Sequence, residues 1–283
     1  MPWLIFTILF VVFQIVFLQT FKYCTRNTKN IGSLTIIIQL ISAFSILVLV
    51  PFFDWVFPTY WLTWLLLVIA LLLYAVNDRL DATTRKNLDI SVDTMVQQVY
   101  RIFFLFSGII FLGRTFIWLK LIGVLFIAAA NMFLLFEKGK FRFNKWIWLK
   151  VLSTLFFAAA FTLDTYNSAE FNLPFFVFLS FGIPALFLLI GRQSTIRGLV
   201  KEVTRKEWFV ILICGIAQAL TAFSILRAYQ FYDKFIEVAA ISSAYVVLNV
   251  LFAFVFLKER TRLLQKTFAA AIIVGSIVMI AFA

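Results

Sequence analysis

Residues 134–150 read LLFEKGKFRFNKWIWLK. Between Glu137 and Lys145, charges and turn formers crowd into a chain that is otherwise strongly apolar, and this break falls at the middle of 283 residues. Working outward, charged or turn-rich breaks leave five apolar segments before it, near 2–20, 31–53, 59–77, 90–112 and 115–136. Five more follow it, near 146–165, 173–191, 207–227, 235–257 and 263–282. A helix needs about 20 mostly apolar residues to cross a bilayer, so the pattern predicts ten spans. A shift of 145 residues lays the second five on the first without a gap. Trp3-Leu4 falls on Trp148-Leu149, Thr20 on Thr165, Tyr100 on Tyr245, and Phe111-Leu112 on Phe256-Leu257. The identities are few; the register of segments and breaks is the signal.

Five spans is an odd number, so a second copy enters the membrane upside down relative to the first. The expected fold is an all-α membrane protein of ten transmembrane helices built as two inverted five-helix repeats, residues 1–138 and 146–283, joined by a connector at 139–145. Inverted repeats are a common plan of secondary transporters, with the site near the midplane between the halves. The functional expectation is movement of a small metabolite by alternating access.

Composition supports the membrane class. Apolar residues make up 64% and charged residues 13%, with 37 Phe and a mean hydropathy of +1.03. Soluble domains run at roughly 45–50% apolar and about 25% charged. Two distant cysteines, Cys24 and Cys214, and no histidine give neither a disulfide framework nor the usual zinc and haem ligands. No metal and no cofactor are expected. The N-terminal apolar stretch has no Lys or Arg before Lys22, the reverse of a signal peptide's charge order, and reads as a retained first span.

The net charge of +12 would suggest nucleic acid in a soluble protein; here its distribution records orientation, and no nucleic-acid partner is expected. One face collects Lys22, Arg26 and Lys29; Arg79, Arg85 and Lys86; Lys138 to Lys150; Arg192 to Lys206; and Lys258 to Lys266. The other face holds only Arg114, Lys120, Arg227 and Lys234. Cytoplasmic loops collect Lys and Arg, so both termini are expected outside a cell (plasma or inner) membrane. A monomer is expected, with a homodimer as the alternative.

Polar residues inside spans are the candidate site. Arg101 lies about twelve residues from either end of span four, roughly 18 Å along the axis, too deep to snorkel. Intramembrane ionisable groups are functional by default. Asp93, Gln97 and Arg101 share a helical stripe with Tyr100 at its edge, a polar wall at which Arg101 would attract an anionic solute. Span nine offers Ser242, Tyr245 and Asn249; span eight offers Gln218 and Thr221; span three ends with Tyr74 and Asn77. Ion or proton coupling would fall to Asp93, Asp164 or Glu237. Ala271-xxx-Gly275 has the spacing that lets helices approach closely, and span five with Ala128 to Ala130 is its expected partner.

Two other classes compete. Asn77-Asp78-Arg79-Leu80-Asp81 and Asp89 to Asp93 resemble the acidic runs that hold Mg²⁺ against a diphosphate, as in a membrane-embedded prenyltransferase. Both runs share one connector diluted by Arg79, Arg85 and Lys86, which reads better as a solvated loop; no enzyme is expected. A non-transporting structural membrane protein is the other alternative.

The last third resembles the ten-helix EamA-like permeases of the drug/metabolite transporter superfamily. The resemblance rests on Ala239-Ala240-Ile241-Ser242-Ser243, on Phe256-Leu257-Lys258-Glu259-Arg260-Thr261, and on Ala271-Ile272-Ile273-Val274-Gly275. Phe111-Leu112-Gly113-Arg114, Gly123 and Ala128 to Ala130 form a weaker first-half copy, with Arg114 where the family usually has glutamate. The resemblance implies a multi-pass transporter whose central cavity is lined mainly by helices 3, 4, 8 and 9. Relatives of this type are drawn with cytoplasmic termini, whereas the charge distribution here says the opposite and is followed.

Overall fold

The computed structural model describes residues 2–100, 103, 118–137, 140–141, 144–191, 194–231, 238, 241–242, 244–256 and 263–282. The first half holds α1 (Pro2–Asn27), α2 (Ile31–Ile46) with a 3-10 extension to Phe52, α3 (Trp61–Asn87), α4 (Ile90–Gln97) and α5 (Trp118–Leu135). A two-residue antiparallel pair, β1 (Phe136–Glu137) with β2 (Lys140–Phe141), forms the turn between halves. The second half holds α6 (Lys145–Asn167), α7 (Leu173–Ile190), α8 (Ile196–Val203), α9 (Trp208–Tyr229), α10 (Ala244–Phe256) and α11 (Leu263–Phe282). Among the described residues, six helices are long and apolar enough to cross a membrane: α1, α2 with its extension, α3, α6, α7 and α9. α10 and α11 are shorter apolar helices. Trp61, Leu62, Leu65, Val68, Leu72 and Val76 of α3 stand exposed, as befits side chains whose solvent is lipid.

Span three runs past its expected end. The sequence closes it at Asn77 and makes the next residues a solvated loop, but α3 continues to Asn87. The charges that suggest the loop are satisfied inside the protein: Asp81 meets Lys150 and Arg85, and Asp78 accepts from Gln39. A buried charge is tolerated where it is paired and hydrogen-bonded, and here that condition lets the helix carry its charged end inward.

The helices of one half pack chiefly on those of the other. α1 lies along α9 and α3 along α6; α5 pairs with α11 and α2 with α7; α9 also crosses α2. Smaller interfaces join α3 to α7, α1 to α10, α4 to α6 and α4 to α10. Asn172 fastens one set of loops. Its Oδ1 accepts from Phe175 N at the start of α7, and its Nδ2 donates to the carbonyls of Val50, Phe53 and Asp54. At the basic end, α8 packs on α2, Ser33 meets Ser194 at 2.5 Å, and Thr28 donates to Glu202 at 2.6 Å.

The small-residue motif of span ten does not pack as expected. α11 does meet α5, with Phe268 edge-on to Phe133 and Gln265 donating to the Phe133 carbonyl. Ala271 and Gly275 lie on its exposed side, and a Cβ built on Gly275 meets nothing within 4 Å. The buried face is instead Ala269, Ala270, Ile273 and Ile277, one helical stripe.

Candidate functional site

α3 builds one wall of a central cavity. Tyr74, Asn77, Asp78, Asp81 and Arg85 recur at helical spacing, so they share one stripe, and all five line the hollow. α6 runs antiparallel to it and contributes Phe157, Phe161 and Asp164. α1 adds Phe10, Gln14 and Phe17; α7 adds Val177, Ser180 and Phe181; α9 adds residues from Gln218 to Tyr229. Gln97, Tyr100, Ser242 and Tyr245 complete the lining. The cavity volume is about 170 Å³, an order of magnitude above the roughly 10–15 Å³ that admits one water.

Most of the residues singled out from the sequence meet here. Gln97, Tyr100, Tyr74, Asn77, Gln218, Thr221, Ser242 and Tyr245 all line the cavity, as does Asp164. Asn249 does not. It accepts from Gln19 Nε2 at 2.7 Å and donates to Thr94 Oγ1 at 2.6 Å, tying α1, α4 and α10 together. Asp93 is fully buried off the cavity and ion-paired. Arg101, Glu237 and Arg114 lie outside the described residues.

A buried ion cluster borders the basic end of the cavity. Lys150, 1% exposed, contacts Asp81 and reaches Asp93 at 2.9 Å. Arg85 Nε sits 2.7 Å from Asp81 and 3.5 Å from Asp93. The Arg85 guanidinium also lies 5.3 Å and 5.1 Å from the ring centres of Phe17 and Phe21, a cation–π arrangement. Lys22 donates to the carbonyls of Arg85 and Leu88, so α1 holds the end of α3. The acidic pair that suggested diphosphate chemistry is thus divided: Asp81 is clasped by two cations, and Asp78 by the amides of Gln39 and Asn77. Among the described residues, no group of three His, Cys, Asp or Glu side chains could hold a metal ion.

The opposite end is aromatic. Phe157 and Phe161 stack with centroids 5.6 Å apart; Tyr100 stands edge-on to both, at 5.4 Å and 6.3 Å, and Tyr229 packs on Phe161 at 6.1 Å. Asp164 lines the same cavity, 3% exposed, and is hydrogen-bonded to the Tyr74 hydroxyl. Its Oδ1 is buried without a hydrogen-bond partner, as is Oε1 of Gln97.

Reading the sequence missed Asp78, Asp81, Arg85, Phe157, Phe161 and Tyr229 as lining residues. The signal was present for the first three, because the stripe begun by Tyr74 and Asn77 continues through them at the same spacing.

Residues 144–281 match the family model of the EamA-like transporter family. The second half is therefore similar to EamA-like transporters. The match begins at the residue that caps α6 and ends within α11, so it covers the second five-span unit read from the sequence, and the resemblance drawn from its motifs holds. A crystal structure of another protein shares the fold with a TM-score of 0.65, covering 97% of this chain and 94% of its own at 13% identity. A search of curated proteins finds no match. Six helices long and apolar enough to span a bilayer, together with the family match, indicate a multi-pass membrane protein, and the match suggests a membrane transporter. The matched half supplies most of the cavity lining, Phe157, Asp164, Ser180, Thr221 and Tyr245 among it; α1 and α3, with Gln97 and Tyr100, supply the rest.

Proposed function

We propose that the protein is a secondary carrier of a small metabolite, working by alternating access between two inverted five-helix halves. The observation that carries this reading is the exchange symmetry of the packing. Under the 145-residue shift, α1, α2, α3 and α5 correspond to α6, α7, α9 and α11, and α4 to the span containing α10. Swapping halves turns the α1–α9 interface into α6–α3, α2–α9 into α7–α3, and α1–α10 into α6–α4, all of which are present. The α2–α7, α5–α11 and α4–α10 interfaces map onto themselves. A lumen at such an interface is where inverted-repeat carriers bind their solutes.

The ion cluster suits this cycle. Lys150 belongs to the second half and Asp81, Arg85 and Asp93 to the first, so the contact closes the basic end in this state and parts when that end opens. On this reading the basic end faces the cytoplasm and both termini lie outside, as the distribution of Lys and Arg favours.

Reconstitution of the full chain into liposomes tests the reading, with labelled amino acids, sugars, nucleosides and amines. A carrier takes up one class saturably and faster when unlabelled solute is trapped inside. Uptake equal to empty liposomes for every class, or uptake indifferent to internal solute, contradicts it.

A further inference from the structure

The charges of the cavity are distributed unevenly. At the basic end, Arg85 and Lys150 face Asp81 and Asp93, two cations against two carboxylates. Asp164 lies 14 residues beyond Lys150 on α6, about 21 Å along the axis. No cation meets Asp164 or Asp78 among the described residues. Asp78 is occupied by amide donors from Gln39 and Asn77. Asp164 is not: its Oδ1 has no partner, and the other unpartnered oxygen on the cavity wall, Gln97 Oε1, is an acceptor as well. A buried carboxylate oxygen without a donor is costly, and an occupant that brings N–H groups and positive charge removes that cost. The rings of Tyr100, Phe157, Phe161 and Tyr229, packed on one another, line the same cavity and bring π faces and edges to it, surroundings that favour an organic ammonium over a hydrated metal ion.

We propose that this end of the cavity is the binding site for a small organic ammonium ion with an apolar or aromatic body, its nitrogen on Asp164 and its body among the rings. The proposal rests on the carrier reading and names its substrate class. A zwitterionic α-amino acid does not suit the site, because its charges are only a few ångströms apart while Asp164 and Arg85 stand at opposite ends. With its ammonium on Asp164, its carboxylate would lie within a few ångströms of the Asp164 carboxylate. An anionic solute, which a cation at position 101 would favour, is the competing outcome.

Calorimetric titration of the detergent-purified full chain tests this with four probes of one shape: 2-phenylethylamine, 2-phenylethanol, 3-phenylpropanoate and L-phenylalanine. Saturable binding is expected for the amine, and binding weaker by about tenfold or more for the other three. Asp164→Asn loses about tenfold in amine affinity while eluting as the wild type does on size exclusion, and Asp164→Glu recovers most of it. Propanoate binding as tightly as the amine, or equal amine affinity in wild type and a folded Asp164→Asn, overturns the proposal. If Asp164→Asn does not fold, the wild-type comparison of amine with propanoate decides alone. Amine binding without liposome uptake of any compound contradicts the carrier reading and leaves the ligand class standing. Uptake of another class with no amine binding does the reverse.

Discussion

Lys150→Met is expected to lower the unfolding free energy by about 3–5 kcal/mol, the usual cost of removing one member of a buried ion pair. Lys150 is 1% exposed and is shared by Asp81 and Asp93, the latter wholly buried. Without it, two carboxylates stand against the single charge of Arg85, in surroundings where an unpaired charge is strongly disfavoured. The loss comes from the stranded partner and does not measure the net worth of the pair. Lys150→Met combined with Asp93→Asn restores one carboxylate to one guanidinium, so the double variant regains more than half of the loss. Denaturation in mixed detergent micelles reads both values. A Lys150→Met loss under about 1 kcal/mol would mean that the cluster does not hold the two halves together.

Gly215→Ala is the second large effect. A Cβ on Gly215 of α9 would stand 2.6 Å from Ile41 Cγ2, 2.7 Å from Ile41 Cβ and 3.0 Å from the Ile38 carbonyl oxygen of α2. The β-branched Ile41 cannot swing its own Cβ aside, so the helices must part. Ser42 Oγ, which donates to the Gly215 carbonyl at 2.8 Å, would lose that contact. Overpacking of this kind costs about 1–3 kcal/mol, against the helix-propensity gain of about 1 kcal/mol that Ala normally brings. Gly182→Ala is the control: its nearest neighbour would be Ala43 Cβ at 3.7 Å, an ordinary contact, so it stabilises or is neutral. Equal melting shifts for the two variants would remove the close approach of α2 and α9 from the account. Gln218 lies one turn along from Gly215 and lines the cavity, so Gly215→Ala should also slow transport.

The sequence made the spans legible because lipid imposes so strong a pattern, runs of about 20 apolar residues between charged breaks. It also made much of the cavity legible, since polar residues such as Gln97, Thr221 and Tyr245 have few reasons to sit mid-span. The end of α3 was not legible. Asp78, Asp81 and Arg85 look like loop residues until their partners are known, and those partners, Gln39 and Lys150, are distant in the chain. Lys150 itself read as one more cation on the basic face. The aromatic box was hidden for the opposite reason: among 37 phenylalanines, nothing local distinguishes Phe157 and Phe161 from those that face lipid. Asn249 shares the stripe of Ser242 and Tyr245, yet Gln19 and Thr94 claim it, a choice made by neighbouring helices.

Thiol access at Ser180 tests the central claim most directly. Ser180 lies on the cavity wall of α7, and the native thiols Cys24 and Cys214 are both buried and are replaced by Ala. In sealed vesicles of either orientation, Ser180→Cys is expected to react with a membrane-impermeant maleimide added from either side. Reaction from one side only, or from neither, contradicts a cavity that opens in turn to both faces.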